Sequence, residues 1–338
     1  MLRWMLLTLC LLLNGCQAKA KEGQSEGQKP VASASTPPKQ KRGNKGVLDV
    51  TFLVASDTHF GFGVDRNAPE ERDPVKDPQG LEISHKEVIR QMNAFERERE
   101  FPKALGGGPI GKPRGLLIAG DLTEKGREPE WKAFRAYYGK NGNDGLLRMP
   151  VYEAVGNHDF WEIRQKVKKD RGALAYSWDW DDLHVICLGE APDDEILAWL
   201  DADLRGLEPD VPLILYQHFP FTGPYSNTWF TREGFDEKLA MVLKNRRVLG
   251  IFHGHFHASG SYKWHGYDVY NVGSAAKHGN HGFAVVRVTN ESIKVAEWNW
   301  EARVWWWWHE KPMREKGAKE SFAVSPLPDS GDTPFVWR

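Results

Sequence analysis

The sequence predicts a layered α/β domain, two β-sheets with helices outside them. From Leu48 onward short apolar runs alternate with helical stretches, and after residue 252 the pattern becomes a succession of strands. Strand–helix alternation builds a sheet with crossover helices, and a following run of strands adds further neighbours to it. No segment repeats at a fixed period, which argues against solenoids and propellers.

The elements follow in order. Residues 49–56 read as a strand and 83–99 as a helix. Residues 115–120 form a second strand, 129–138 a helix and 150–155 a third strand. Residues 173–178 and 183–188 make a hairpin with Asp179-Trp180-Asp181-Asp182 at its turn. Then come a helix over 194–204, a strand over 212–217, a helix over 233–244 and a strand over 248–252. Strands at 261–264, 267–272, 283–288 and 293–300 complete the domain, placed at residues 47–300. Two segments stand outside this scheme. Residues 60–80 are Pro-rich and charged, and the tail at 301–338 carries four consecutive tryptophans, Trp305 to Trp308. The tryptophans are expected to pack on the domain edge rather than rest at a membrane interface.

The N-terminus has a different character. Arg3 precedes an apolar run from Trp4 to Leu13, too short to cross a bilayer as a helix and suited to an export signal over residues 1–15. The run ends in Leu13-Asn14-Gly15-Cys16, which resembles the lipobox of bacterial lipoproteins, with Asn14 where a small or apolar residue is usual. The expectation is a lipidated Cys16 and a membrane-anchored lipoprotein of the cell envelope, the alternative being a secreted or periplasmic protein. Residues 17–46 carry seven basic and two acidic side chains and no aromatic residue, so residues 16–46 read as a disordered basic tether. The chain has three cysteines; Cys10 leaves with the signal and Cys16 is capped, so Cys187 remains as a buried thiol without a disulfide.

Five motifs fall at predicted strand ends: Asp57-Thr58-His59, Gly120-Asp121, Gly156-Asn157-His158-Asp159, Gln217-His218 and His253-Gly254-His255-Phe256-His257. The carboxyl ends of strands are where open α/β sheets bind ligands. Residues i and i+2 of an extended chain share a face, so Asp57 with His59, and His255 with His257, are expected to reach one site. The glycines at 120, 156 and 254 would let the next side chain approach closely. Each motif alone is weak; five together, supplying Asp, His and Asn, are what one metal centre requires. Mixed carboxylate and imidazole donors suit Zn, Fe or Mn better than Ca or Mg. His253 is expected to support the site rather than ligate, and Asp159 to orient His158 or to cap the helix starting near Phe160. His85, His184, His265 and His309 read as structural.

This ordered set resembles the calcineurin-like metallophosphoesterases over roughly residues 48–290. The resemblance implies a four-layer αββα sandwich of two mixed sheets flanked by helices. It implies two transition-metal ions, Mn, Fe or Zn, divalent or trivalent. Asp57, His59, Asp121 and His257 would hold one; Asp121, Asn157, His218 and His255 would hold the other, with Asp121 as the bridge. His158 would stand near the leaving group while a water activated between the cations attacks phosphorus. The stretch 120–126, GDLTEKG, resembles most the branch containing cyclic-nucleotide and glycerophosphodiester phosphodiesterases. Glu124 stands where the purple acid phosphatase branch has Tyr, and no room remains for the C-terminal domain of two-domain 5′-nucleotidases.

The expected function is hydrolysis of small-molecule or lipid-borne phosphoesters, mono- or diesters. A nuclease of the same superfamily is one alternative, and an inactive metal-binding scaffold at the membrane another. Residues 47–338 hold 37 basic and 44 acidic side chains, a net of −7, which argues against nucleic acid as a partner. All seven ligand positions are filled, which argues against an inactive scaffold.

Overall fold

The computed structural model describes residues 46, 48–62, 81–221, 230–275, 281–313 and 321–324. The expected export signal, Cys16, residues 17–45 of the expected tether and residues 63–80 lie outside the described residues, as do Tyr225, Asn227, Trp229, Lys277 and His278, which belong to two loops whose sequence offers side chains for a substrate pocket. Among the described residues no helix is long and apolar enough to cross a membrane.

Strand β1 (Asp49–Ala55) sets the layering. Its side chains alternate between two apolar clusters, Phe52 and Val54 entering one and Leu53 and Ala55 the other. Both faces are covered, so the strand is apolar nearly throughout. β1 pairs in parallel with β2 (Pro113–Ile118), which pairs in parallel with β3 (Val151–Glu153). On its other side β1 runs antiparallel to β10 (Gly282–Thr289), followed by β11 (Ser292–Asn299), β12 (Val304–Pro312) and β13 (Ser321–Val324). The seven-stranded sheet therefore has the order β13-β12-β11-β10-β1-β2-β3.

The second sheet holds β4 (Tyr176–Trp180), β5 (Leu183–Cys187), β6 (Pro212–Tyr216), β7 (Arg247–His253), β8 (Gly260–Trp264) and β9 (Tyr267–Asn271), in the order β4-β5-β6-β7-β9-β8. Its β5-β6-β7-β9 core is parallel and its edges are antiparallel. The β4–β5 turn is tighter than expected, because β4 runs on to Trp180 and leaves only residues 181–182 between the strands; Asp181 takes the left-handed backbone, φ 52°, that so short a turn needs.

Three cores separate four layers. The inner faces of both sheets meet in one cluster, where Phe52 lies 5.6 Å from Trp180 and 6.3 Å from Phe252 between ring centroids. A fully buried Phe contributes roughly 1.5–3 kcal/mol by leaving water. Helices α1 (Leu81–Glu98), α2 (Glu128–Tyr138) and α3 (Trp161–Arg171) cover the outer face of the large sheet through Val88, Met92, Phe134, Ile163 and Val167. Helices α4 (Asp194–Arg205) and α5 (Glu233–Leu243) cover the other sheet through Leu200, Leu204 and Leu239. This is the αββα sandwich. Cys187 sits in the middle core, its thiol pushed up to about 12 by burial.

The tryptophan run belongs to the large sheet. The boundary drawn at residue 300 on composition falls between two paired strands, β11 and β12. The register slips beside Glu297, leaving Trp306 as an extra residue. That bulge explains how two consecutive residues share one side: Trp306 and Trp307 both pack in the inter-sheet core, while Trp305 and Trp308 pack on the helix-covered side.

Candidate metal centre

The loops after β1, β2, β3, β6 and β7 meet at one end of the sandwich. The chain after β1 is tied to the loop after β2 by Asp57 N–H to Gly120 O (3.1 Å) and His59 N–H to Asp121 O (3.0 Å). Across the sheets, the Ser274 hydroxyl donates to Asp57 O at 2.9 Å; within the second sheet, Gly254 N–H after β7 donates to His218 O after β6 at 3.2 Å. Asp57, His59, Asp121, His255 and His257 all have positive φ, between 43° and 76°. The extended geometry expected for Asp57-Thr58-His59 and for His255–His257 is therefore wrong: these side chains converge because their backbones turn into the left-handed region. Non-glycine residues hold that conformation at a cost of order 1–3 kcal/mol each, sustained only where the surroundings impose it. The three motif glycines act through contact. A Cβ on Gly120 would strike the His218 ring, one on Gly156 the Asp121 carboxylate, and one on Gly254 the Asp57 carboxylate.

Two sets of ligand atoms result. Asp57, His59 and His257 form one, and Asp121, His218 and His255 the other, each with its atoms within 4.8 Å of one another. His59 Nε2 lies 3.1 Å from His257 Nε2, and Asp57 Oδ1 lies 3.3 Å from His257 Nε2. In the second set Asn157 Oδ1 is 3.0 Å from both His218 Nε2 and His255 Nδ1, and those two nitrogens are 3.3 Å apart. Asp121 joins the sets, with Oδ2 3.4 Å from His59 Nε2 and 3.3 Å from His218 Nε2. All seven predicted ligands are thus brought together. Ring nitrogens and carboxylate oxygens turned toward each other in a buried space are a donor set for cations, and the chemistry fits two transition-metal ions.

A model of the calcineurin-like phosphoesterases matches residues 50–259. The chain belongs to that family. Calcineurin-like phosphoesterases are hydrolases of phosphoric ester bonds that use two divalent metal ions. No curated protein sequence matches the chain. Among solved structures, a Plasmodium protein described as GAP50, the anchor in the inner membrane complex, shares 12% identity, covering 80% of this chain and 90% of that one with a TM-score of 0.53. A dimetal phosphatase from Danio rerio shares 14% identity, with 73% and 95% covered and a TM-score of 0.48. A 5′-nucleotidase from Staphylococcus aureus shares 14%, with 80% and 55% covered and a TM-score of 0.39.

Within this calcineurin-like site, hydrogen bonds behind the ligands set their orientation. His218 Nδ1 donates to Ala119 O at 2.8 Å, so Nε2 is the nitrogen turned to the centre and the one that would bind a metal. His59 Nδ1 meets Glu124 Oε2 at 2.8 Å, a carboxylate–imidazole pair that leaves Nε2 for a metal. His158 Nδ1 donates to the Glu124 carbonyl at 2.8 Å, holding a partly exposed imidazole at the mouth of the site. His253 is not a ligand: its ring contacts Gly254 O (2.9 Å) and the Tyr262 hydroxyl (3.0 Å), and burial pulls it down to about 4.

Electrostatics follow the same geometry. Burial pushes the Asp57 carboxyl up, but the imidazoles of His257 and His59 hold it well below the usual carboxylate range. Asp121 is lowered in the same way by His218 and His59 against its own burial. The reciprocal effect lifts His218, against its burial, to about 9, so in the metal-free chain a proton occupies the place a metal would take.

Three supporting residues depart from expectation or escaped it. Asp159 neither orients His158 nor caps α3. Its buried carboxylate accepts from the N–H groups of Leu122 (3.0 Å), Thr123 (3.0 Å) and Gly156 (2.9 Å), sewing the loop after β2 to the loop after β3. Arg164 donates from α3 to Asp159 O (2.7 Å) and Gly156 O (2.9 Å), and pairs with Glu190 at 2.9 Å. Nothing in the sequence marks Arg164. Glu124 was legible only as the third residue after Asp121.

Proposed function

We propose that the chain hydrolyses compact phosphoesters at a dinuclear centre. Asp57, His59, Asp121 and His257 would hold one ion, and Asp121, Asn157, His218 and His255 the other. The observation that carries this reading is the position of Asp121 Oδ2, facing one imidazole from each set. When bound, the two cations supply charge for the phosphoryl oxygens and lower the pKa of a water. The protein's own part is orientation and proton control. His158 has Nδ1 committed to the Glu124 carbonyl, so Nε2 carries a hydrogen only in the imidazolium form. In that form it would donate to the departing oxygen.

A net of −7 over residues 47–338 leaves the metals as the main attraction for an anionic substrate. That supports small-molecule or lipid-borne esters over long nucleic acids, and the sequence style of residues 120–126 supports diesters. Export and anchoring through a lipidated Cys16 would place the activity at the cell envelope; a Cys16→Ser variant that still took up fatty acid would remove that part.

The test is a panel of phosphomonoesters and phosphodiesters, assayed after loading with Mn, Zn or Fe. Turnover of a small chromogenic diester, with weak action on DNA, is expected. A fully loaded protein that cleaved no ester would contradict the reading.

A further inference from the structure

Beside His158 the surface carries two large exposed aromatic side chains in succession, Phe160 (56% exposed) and Trp161 (73%). Neither stacks on another ring among the described residues. They form one wall of a groove of about 420 Å³, lined by Gly126, Arg127, Glu128, Phe160, Trp161 and Glu162. The two segments that meet at His158, through its bond to Glu124 O, run on to become the two walls of this groove. Gly126 lets them close: a Cβ there would stand 2.8 Å from Phe160 Cβ and 2.9 Å from its nitrogen, and the position has φ 64°.

Resting on the phosphoesterase reading, we propose that this groove is the leaving-group subsite and takes an uncharged, flat, ring-bearing alcohol. The groove begins two residues along the chain from His158, which on that reading would face the departing oxygen, and this puts it on the leaving side of phosphorus. One wall presents Phe160 and Trp161, which suits stacking on a ring. Its charges are one Arg and two Glu, and its one cation is already engaged: Arg127 pairs with Glu130 at 2.7 Å, while Glu128 pairs with Lys166 at 2.6 Å. A second phosphate would find no free cation here, so a polyanion gains nothing by entering.

The experiment compares two phosphodiesters, one releasing a naphthol and one releasing trifluoroethanol, on the metal-loaded protein. Taking the ratio between variants cancels their intrinsic reactivity. Trp161→Ala is expected to lower the preference for the naphthyl ester about tenfold, carried by KM rather than kcat, and Trp161→Phe to restore most of it. Met241→Ala, at another exposed apolar residue on α5, is the control. Because Trp161 is largely exposed, its truncation spares the core; metal content and melting temperature verify this. An unchanged preference in both Trp161→Ala and Phe160→Ala would overturn the proposal. So would loss of sedimentation with anionic vesicles while the preference stays intact, which would make the patch a membrane contact. If the wild type cleaved neither ester, the phosphoesterase reading would fall, and the groove is then read from calorimetry. Tighter binding of benzylphosphonate than methylphosphonate, lost in Trp161→Ala, would sustain the groove; equal binding would overturn it.

Discussion

The backbone N–H of His158 donates to Asp121 Oδ1 at 2.9 Å, joining the residue at the mouth of the site to the carboxylate at its centre. With Oδ1 engaged there, Oδ2 is the atom turned to both sets of ligands. Because the link is made by the main chain, it survives truncation of the imidazole.

His158→Ala should therefore keep its metals and lose turnover, by about 10²–10⁴-fold. The loss should grow as the leaving group becomes poorer, since a basic departing oxygen needs more help. Rates across a series of leaving groups, with metal content measured alongside, check this. A loss equal across the series would reduce His158 to a positioning role.

Glu124→Ala removes the carboxylate behind His59 while leaving the carbonyl that holds His158. Metal affinity or activity should fall about 10–100-fold. Glu124→Gln keeps an oxygen acceptor and should lose less. Calorimetric titration of the metal-free variants reads the difference; wild-type affinity in Glu124→Ala would show the pair to be incidental.

Gly156→Ala should displace the Asp121 carboxylate, which occupies the space a Cβ would need. A shift of about 1 Å at a reacting centre can cost ~100-fold in rate. The expected signature is reduced metal content and turnover without collapse of the fold. Normal activity would mean that the loops after β2 and β3 can part without harm.

The strands and helices were legible because apolar runs and their spacing report burial directly, and the seven candidate ligand positions were legible because each follows such a run. How they converge was not. The left-handed backbones of Asp57, His59, Asp121, His255 and His257 are imposed by the loops packed around them, and the local sequence alone points to extended chain. Arg164 escaped for a similar reason: its role depends on Gly156, Asp159 and Glu190, which the fold brings to it. The tryptophans pack on the domain as expected, but composition could not show that they continue the sheet past residue 300, nor the bulge whose extra residue, Trp306, puts Trp306 and Trp307 on the same side of β12.

His184 gives a pH-dependent prediction away from the metals. It is buried between Asp179 (2.6 Å) and Asp203 (2.7 Å), and those carboxylates raise its pKa against the opposing effect of burial. A folded value above the unfolded ~6.5 means stabilisation fully present below that pH and lost as pH rises through the folded value. His184→Gln should cost on the order of 1–3 kcal/mol at pH 5.5 and less in alkaline solution. Urea titrations of both proteins at each pH measure the gap; a gap that widened with pH would reverse the assigned charge state.

The most direct test of the account is metal analysis of purified Asp121→Asn. The amide lacks the charge that two cations would share, so both ions should be lost together, and turnover with them. An Asp121→Asn protein that retained two metals and wild-type turnover would contradict the dinuclear centre described above.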